Sequence, residues 1–296
     1  MAHRPICTDW ISSAEVLSLS PMSRTPIQRL ERGLKTTSLR GLRLNLRLKK
    51  LFGRRGLSLF ITALPKSGST FMVKTLGEVT GYQHMFLGYH QLNEQDLYLP
   101  NLIDSWTMNI ISHQHTRPSA PNLDLMRQFF IRPVILTRNA YDAMVSQTDH
   151  LEAESAETPI LNVPDNFMER SRSERLDMVI DLAMPWYIRF VGDWQQADAK
   201  GEVECLWLRY EDLITDGVDV VGQVLDFHGL SRDDAVIERA LVRARGEGSR
   251  LNKGIAGRGA AELSDEQKRR IHALTRHYRN VSSGVDFGCI DLSGGE

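Results

Sequence analysis

The sequence holds only three cysteines, Cys7, Cys205 and Cys289, in 296 residues. An odd number, widely spaced and without metal-ligand spacing, excludes a disulfide scaffold and a structural zinc site, and favours a reducing compartment. No run approaches the roughly 18 consecutive apolar residues of a membrane helix, and the first residues lack the charged-then-apolar plan of a signal peptide. A soluble, cytoplasmic protein is therefore expected. Internal repeats are absent as well, which excludes a solenoid or an array.

Net charge is also scarce, at −1, but it is unevenly spread. Residues 1–55 hold twelve Lys/Arg against three Asp/Glu, and the remainder is acidic by a similar margin. This split implies a basic, weakly ordered N-terminal segment over 1–55 and one α/β domain over 56–296. Residues 39–55 alternate leucine with Lys and Arg, a pattern that fits neither helix nor strand cleanly. It reads as a solvated basic lead-in, with a weak contact to an anionic membrane surface as the functional alternative. No nucleic-acid partner is expected.

What is present begins at residue 57. In LSLFITALPKSGSTFMVKTL, Leu59, Phe60 and Ile61 form a β-preferring run, Pro65 and Gly68 break it, and Met72, Leu76 and Val79 recur at helical spacing. The order is strand, turn, helix. The first amides of such a helix have no intrahelical acceptor and sit at its positive end. Lys66, Ser67, Gly68, Ser69 and Thr70 thus present backbone donors, hydroxyls and a cation to an anion. The turn is no Walker A loop, because its lysine precedes the glycine instead of following it.

Further strands are expected within 81–89 and at 108–115, 133–137 and 203–208. Helices are expected after Asn139, over 176–194 with a bend at Pro185, over 216–228, from Ser231, and from Ser264 with Gln267 completing a capping box. This alternation argues for a parallel sheet covered on both faces, with ligands at the carboxyl ends of the strands. The polar stretch 149–173 reads as a lid.

Two more motifs fall where that architecture places ligands. TRNAYDAMVSQ puts Arg138 at a strand end and Ser146 eight residues on, about two helical turns, so a guanidinium and a hydroxyl converge on one anion. RLNKGIAGRG, residues 250–259, is a glycine-rich cationic loop in which Lys253 supplies charge while Gly254 and Gly257 admit a phosphate to the backbone.

PKSGST followed by Phe71, then the Arg138–Ser146 spacing, then the late glycine-rich loop resemble, in that order, the soluble sulfotransferases that use 3′-phosphoadenosine 5′-phosphosulfate (PAPS). The resemblance covers roughly 57–280. It implies a P-loop-like central parallel sheet flanked by helices, with PAPS as donor and 3′-phosphoadenosine 5′-phosphate (PAP) as product. It implies a 5′-phosphosulfate cradle at Lys66, Ser67, Gly68, Ser69, Thr70 and Phe71. Arg138 and Ser146 would hold the 3′-phosphate, Lys253 and Gly254 would belong to the late phosphate loop, and Tyr210 of LRYEDL would lie near the adenine. The sequence departs from the family pattern at Asn252, where arginine is usual, and at Arg258 and Gly259, which replace Asp and Trp; Arg250 or Arg258 would stand in for the missing arginine.

Transfer to a hydroxyl or amine needs a base, and the resemblance puts it in a segment that holds both His113 and His115, the spacing to Arg138 favouring His115. Lys66 would neutralise the leaving phosphate. Arg138 stands where a Walker B acid would hold magnesium, so no metal is implied. The acceptor is a small molecule, a glycan or a lipid, in a pocket walled by loops 84–106 and 149–173. Two other functions share the motifs: a variant P-loop kinase, against which the missing GK[ST] and Walker B acid count, and a non-catalytic nucleotide-binding module.

Overall fold

The computed structural model describes residues 39–90, 93–153, 158–246 and 257–276. The chain divides into two compact units, Met1–Leu48 and Lys49–Glu296. Arg250, Asn252, Lys253 and Gly254 lie outside the described residues.

Five strands form one sheet in which every neighbouring pair is parallel. They are β1 (Ser58–Ala63), β2 (Gln83–His84), β3 (Ile110–Gln114), β4 (Pro133–Thr137) and β5 (Leu206–Arg209), in the spatial order β2-β3-β1-β4-β5. Ile61 at the centre pairs with His113 on one side and Val134 on the other. The chain leaves β1 toward β3 and later returns to build β4 on the opposite side, which opens a crevice at the carboxyl ends of these three strands. Leu59, Phe60, Ile61 and Ala63 are all fully buried, and so is Thr62, whose Oγ1 donates to Thr116 O at 2.9 Å, so β1 is covered on both faces.

Helix α1 (Leu39–Phe52) is followed after β1 by α2 (Ser69–Thr80) and α3 (Leu99–Ser105). Next come α4 (Ala120–Phe129), α5 (Ala140–Ala153), α6 (Arg172–Ala199), α7 (Tyr210–Thr215), α8 (Gly217–Phe227), α9 (Asp234–Ala244), α10 (Arg258–Glu262) and α11 (Asp265–Thr275). Phe71, Met72 and Leu76 of α2 share a core with Leu59 and Ile61 of β1, Val221 and Leu225 of α8, and Ile237 and Leu241 of α9. The long α6 packs against α5 and α11. It reaches the strand ends through buried polar tips, with Tyr187 Oη donating to Pro65 O at 2.6 Å and Trp194 Nε1 to Thr116 O at 3.0 Å.

The expected alternation holds, with local corrections. Residues 39–52 are helical, and Lys49 explains part of the mixed pattern: it is buried, and its Nζ donates to Ile103 O and Asp104 O at the end of α3, where helix carbonyls lack partners. The strand expected from residue 203 starts at Leu206, and α9 starts at Asp234 because Asp233, not Ser231, caps it by accepting from Ala235 N. Helix α6 runs on through Pro185, whereas α4 and α7 were not expected. Asn139 caps α5 through Tyr141 N at 3.0 Å, and Ser264 with Gln267 forms the expected capping box of α11. Among the described residues, no helix is long and apolar enough to cross a membrane.

Tyr187→Phe should destabilise the protein by about 1–3 kcal/mol, since it leaves the buried Pro65 carbonyl without a donor. Urea denaturation reads this directly, and an unchanged midpoint would show that the bond contributes nothing.

Candidate active site

The turn between β1 and α2 is held from below. Its carbonyls point inward: Ala63 O accepts from His115 Nδ1 at 2.7 Å, Pro65 O from Tyr187, and Lys66 O from Arg138 Nη1 at 2.7 Å. Two left-handed residues, Lys66 at φ 66° and Gly68 at φ 80°, give the chain the reversal this needs. Helix α2 has no side-chain cap, and a backbone bond from Met72 N to Gly68 O opens it. The amides of Ser69, Thr70 and Phe71 thus have no intrahelical acceptor and stand at the positive end of the helix.

Gly68 is constrained twice, because a Cβ there would come within 2.8 Å of the Tyr210 ring. That ring begins α7 and lies beneath the Arg138 guanidinium, whose carbon is 4.1 Å from the ring centre, a cation–π arrangement that fixes both groups. Glu211, next in the chain, accepts from Asn139 N at 2.9 Å, so the LRYEDL and TRNAYD segments are tied to each other.

Asp142 has a part that the motifs did not reveal. Buried in the first turn of α5, it accepts from Gly257 N at 2.7 Å and Gly259 N at 2.6 Å, with Arg138 Nη2 4.0 Å away. A Cβ at Gly259 would lie 2.2 Å from Tyr141 C, so only glycine allows this approach. Arg258 bonds Asp149 at 3.1 Å and Glu262 at 2.7 Å, and it is not among the residues that line the cavity described next.

Part of this assembly borders a cavity of about 220 Å³. Lys66, Gly68, Ser69, Thr70 and Phe71 line it from the turn, and His113, His115, Arg138, Ser146 and Tyr210 line it from the other strand ends and from α5. Ser67 differs from the rest of the turn: it is fully buried, its hydroxyl has no partner, and it does not line the cavity. Glu94 from loop 84–106, and Thr158, Pro159 and Ile160 from the polar excursion, complete the wall together with Gln147 and His150 of α5. The two loops expected to wall a pocket do so, although nothing in the sequence singled out Glu94 or Gln147.

The two histidines differ. His113 Nδ1 lies 3.0 Å from His84 Nε2, in a tilted ring pair. His115 stands just past the end of β3, and because a carbonyl only accepts, its bond to Ala63 O puts the proton on Nδ1 and leaves Nε2 bare. Burial, with the Lys66 charge nearby, lowers its pKa to about 4. Its 3.6 Å approach to Glu94 is therefore no ion pair at neutral pH, and burial raises Glu94 to about 7. Cys205 is no nucleophile: burial, with Asp198 and Glu204 adding to it, pushes its thiol up to about 12.

A sulfotransferase-domain family model matches residues 58–245. The chain belongs to the sulfotransferase family. The resemblance carried by the three motifs thus holds at the level of the family. Solved structures with the same fold include a mouse sulfotransferase, SULT7A1, complexed with PAP, at TM-score 0.58 and 14% identity, covering 80% of this chain and 88% of that one. Retinol dehydratase in complex with androsterone and PAP superposes at TM-score 0.55 and 13% identity, covering 83% and 87%. Its complex with retinol and PAP gives 0.51 and 16%, with the same coverage. No curated protein matches the sequence.

Gly68→Ala in this sulfotransferase should cost about 1–3 kcal/mol, since a left-handed non-glycine residue is strained and the Tyr210 ring must also move. Thermal denaturation checks it, and an unshifted Tm would mean that the turn relaxes freely.

Proposed function

We propose that the protein moves a sulfuryl group from PAPS to a hydroxyl of a small-molecule acceptor in this cavity, with His115 as base and Lys66 beside the leaving phosphate. The observation that carries the reading is convergence: an anion-binding turn, a second cationic grip at Arg138 and Ser146, and a neutral buried histidine line one cavity. The residues present fit the nucleotide. Arg138 keeps a buried Nε without a partner, and three amides at the start of α2 lack intrahelical acceptors, as sites for two separated anionic groups require. The PAP in the related mouse enzyme and in retinol dehydratase supports the same assignment.

PAPS supplies, when bound, a sulfuryl group on a leaving group that is already a good anion, so positioning and charge are what the chain must contribute. Nε2 of His115 takes the acceptor's hydroxyl proton, and the Nδ1 bond to Ala63 O holds the ring in that tautomer. The Lys66 ammonium, which acts on the same ring, offsets charge developing on the leaving oxygen. Arg138 and Ser146 would hold the 3′-phosphate, and Tyr210, stacked beneath Arg138, would lie toward the adenine. By the family resemblance Lys253 and Gly254, which lie outside the described residues, would add to that grip. Cytoplasmic residence accords with the free Cys205, and a weak contact of α1 with an anionic membrane surface accords with its exposed Leu51 and Phe52 among cations.

PAP should bind at least about tenfold more tightly than AMP, and Arg138→Ala should abolish the difference, because a charge-assisted hydrogen bond is worth about 1.5–3 kcal/mol. Equal affinities in calorimetry would sink the donor assignment.

The proton balance of the base gives a second test. Glu94 is protonated below about 7 and ionised above it, where its charge supports the imidazolium forming at His115. Turnover should rise as pH increases through about 7, and Glu94→Gln should give a lower rate without that limb. His115→Ala should lose about 100-fold or more in turnover with PAP affinity kept, and His113→Ala much less. A full-rate His115→Ala enzyme would reject the base.

A further inference from the structure

At the amino ends of the strands, opposite the cavity, large apolar side chains face solvent. Three short segments lie there, each leading into a strand: residues 50–57 before β1, 105–109 before β3 and 130–132 before β4. Leu51 and Phe52, at the end of α1, are 75% and 78% exposed, Phe130 after α4 is 62% exposed, and Met108 is exposed as well. The segments touch one another. Gly56 N donates to Trp106 O at 2.9 Å, the Arg55 guanidinium stands 4.5 Å from the centre of the Phe130 ring, and Lys50 lies over Trp106, whose ring is 6.2 Å from that of Phe130. A single exposed apolar side chain is ordinary, but several gathered on one surface mark a contact site.

Phe130 is held there against local preference. Its backbone is left-handed, at φ 55°, in the position after a helix that glycine or asparagine normally takes. A bulky residue is strained in that conformation, and burial does not offset the cost, because the ring is mostly exposed. The charge around it is largely of one sign. Lys50, Arg54 and Arg55 are exposed and form no ion pair among the described residues, and residues 39–58 contain no Asp or Glu. The carboxylates closest in the chain to the other two segments are Asp104 and Asp124, and Asp124 is held by Arg127. The hollow between Arg55, Trp106 and Met108 is only about 20 Å³, room for about one water, so the surface offers projecting tips and no pocket for the anchoring side chain of a protein partner.

We propose that this end of the sheet docks on an anionic lipid bilayer, with Leu51, Phe52 and Phe130 entering the headgroup boundary and Lys50, Arg54 and Arg55 meeting the lipid anions. The contact extends well beyond α1, to the turns that start β3 and β4. Parallel strands then fix the orientation, because the residues that line the cavity, 65–71, 115 and 138, follow the same three strands that the docking segments precede. Five residues of β3 separate the two surfaces by about 17 Å. Docked in this way, the cavity opens toward water, and the acceptor reaches it from solution and not from within the lipid. That last step rests on the sulfotransferase reading of the cavity; the docking does not.

The test sediments the full chain with phosphatidylcholine vesicles, with and without about 30% phosphatidylserine. Binding to the anionic vesicles should exceed binding to the neutral ones by about tenfold or more and weaken as salt rises. Phe52→Ser and Phe130→Gly should each lower it about threefold or more, the latter without a fall in Tm, because glycine suits the left-handed position. PAP affinity should be the same with and without vesicles. Absent binding, or equal binding to both vesicles, overturns the proposal. Undiminished binding by both variants overturns it too, by assigning the contact to cations alone, and self-association that both variants abolish, in a protein that ignores vesicles, would make the face an interface between copies. Vesicles that weaken PAP binding would overturn the orientation, whereas a protein that docks but never binds PAP would keep the docking surface and lose the sulfotransferase reading.

Discussion

A backbone turn that must show its amides to an anion has to hide its carbonyls, and hidden carbonyls need donors. Here the donors to three carbonyls of the β1–α2 turn come from three places: the residue after β3, the residue after β4, and the middle of α6. The sheet topology brings the first two together because β3 and β4 flank β1, and α6 supplies the third from beyond the strand ends. Remove the packing of these elements and the turn has no reason to keep its shape, since both left-handed residues in it are locally unfavourable or entropically costly.

The same donors have second duties. By bonding Lys66 O, Arg138 orders the turn, while the rest of its guanidinium stacks on Tyr210 and borders the cavity. His115 is held by Ala63 O in the tautomer that leaves Nε2 available, and the burial that makes room for it keeps it neutral next to a lysine. The groups proposed for binding and for proton transfer are thus positioned by one small group of bonds.

Those bonds also explain what could be read from the amino-acid order. The strand, the turn and α2 lie in consecutive residues, so their periodicity and their glycine are visible directly; so is Arg138 with Ser146, because a helix converts eight positions into about two turns. Asp142, Tyr187 and Glu94 were legible only as a helix-capping partner of Asn139, a core aromatic and part of a polar loop. Their roles depend on partners far along the chain: 117 positions for Asp142 to Gly259, and 122 for Tyr187 to Pro65. Helix α4 was missed although Ser119 before Ala120 and Pro121 is a start signal. Helix α1 was misjudged because a leucine–cation alternation hides the fact that Lys49 is turned inward to another helix's carbonyls.

The bonds from Gly257 N and Gly259 N to Asp142 bear on how the chain is made. Asp142 is synthesised 115 residues ahead of its first glycine partner, so at about 5–20 residues per second its two amide donors follow it by several seconds or more. A chain truncated before residue 257 would therefore keep Arg138, Asp142 and Ser146 but lack both amides from which Asp142 accepts.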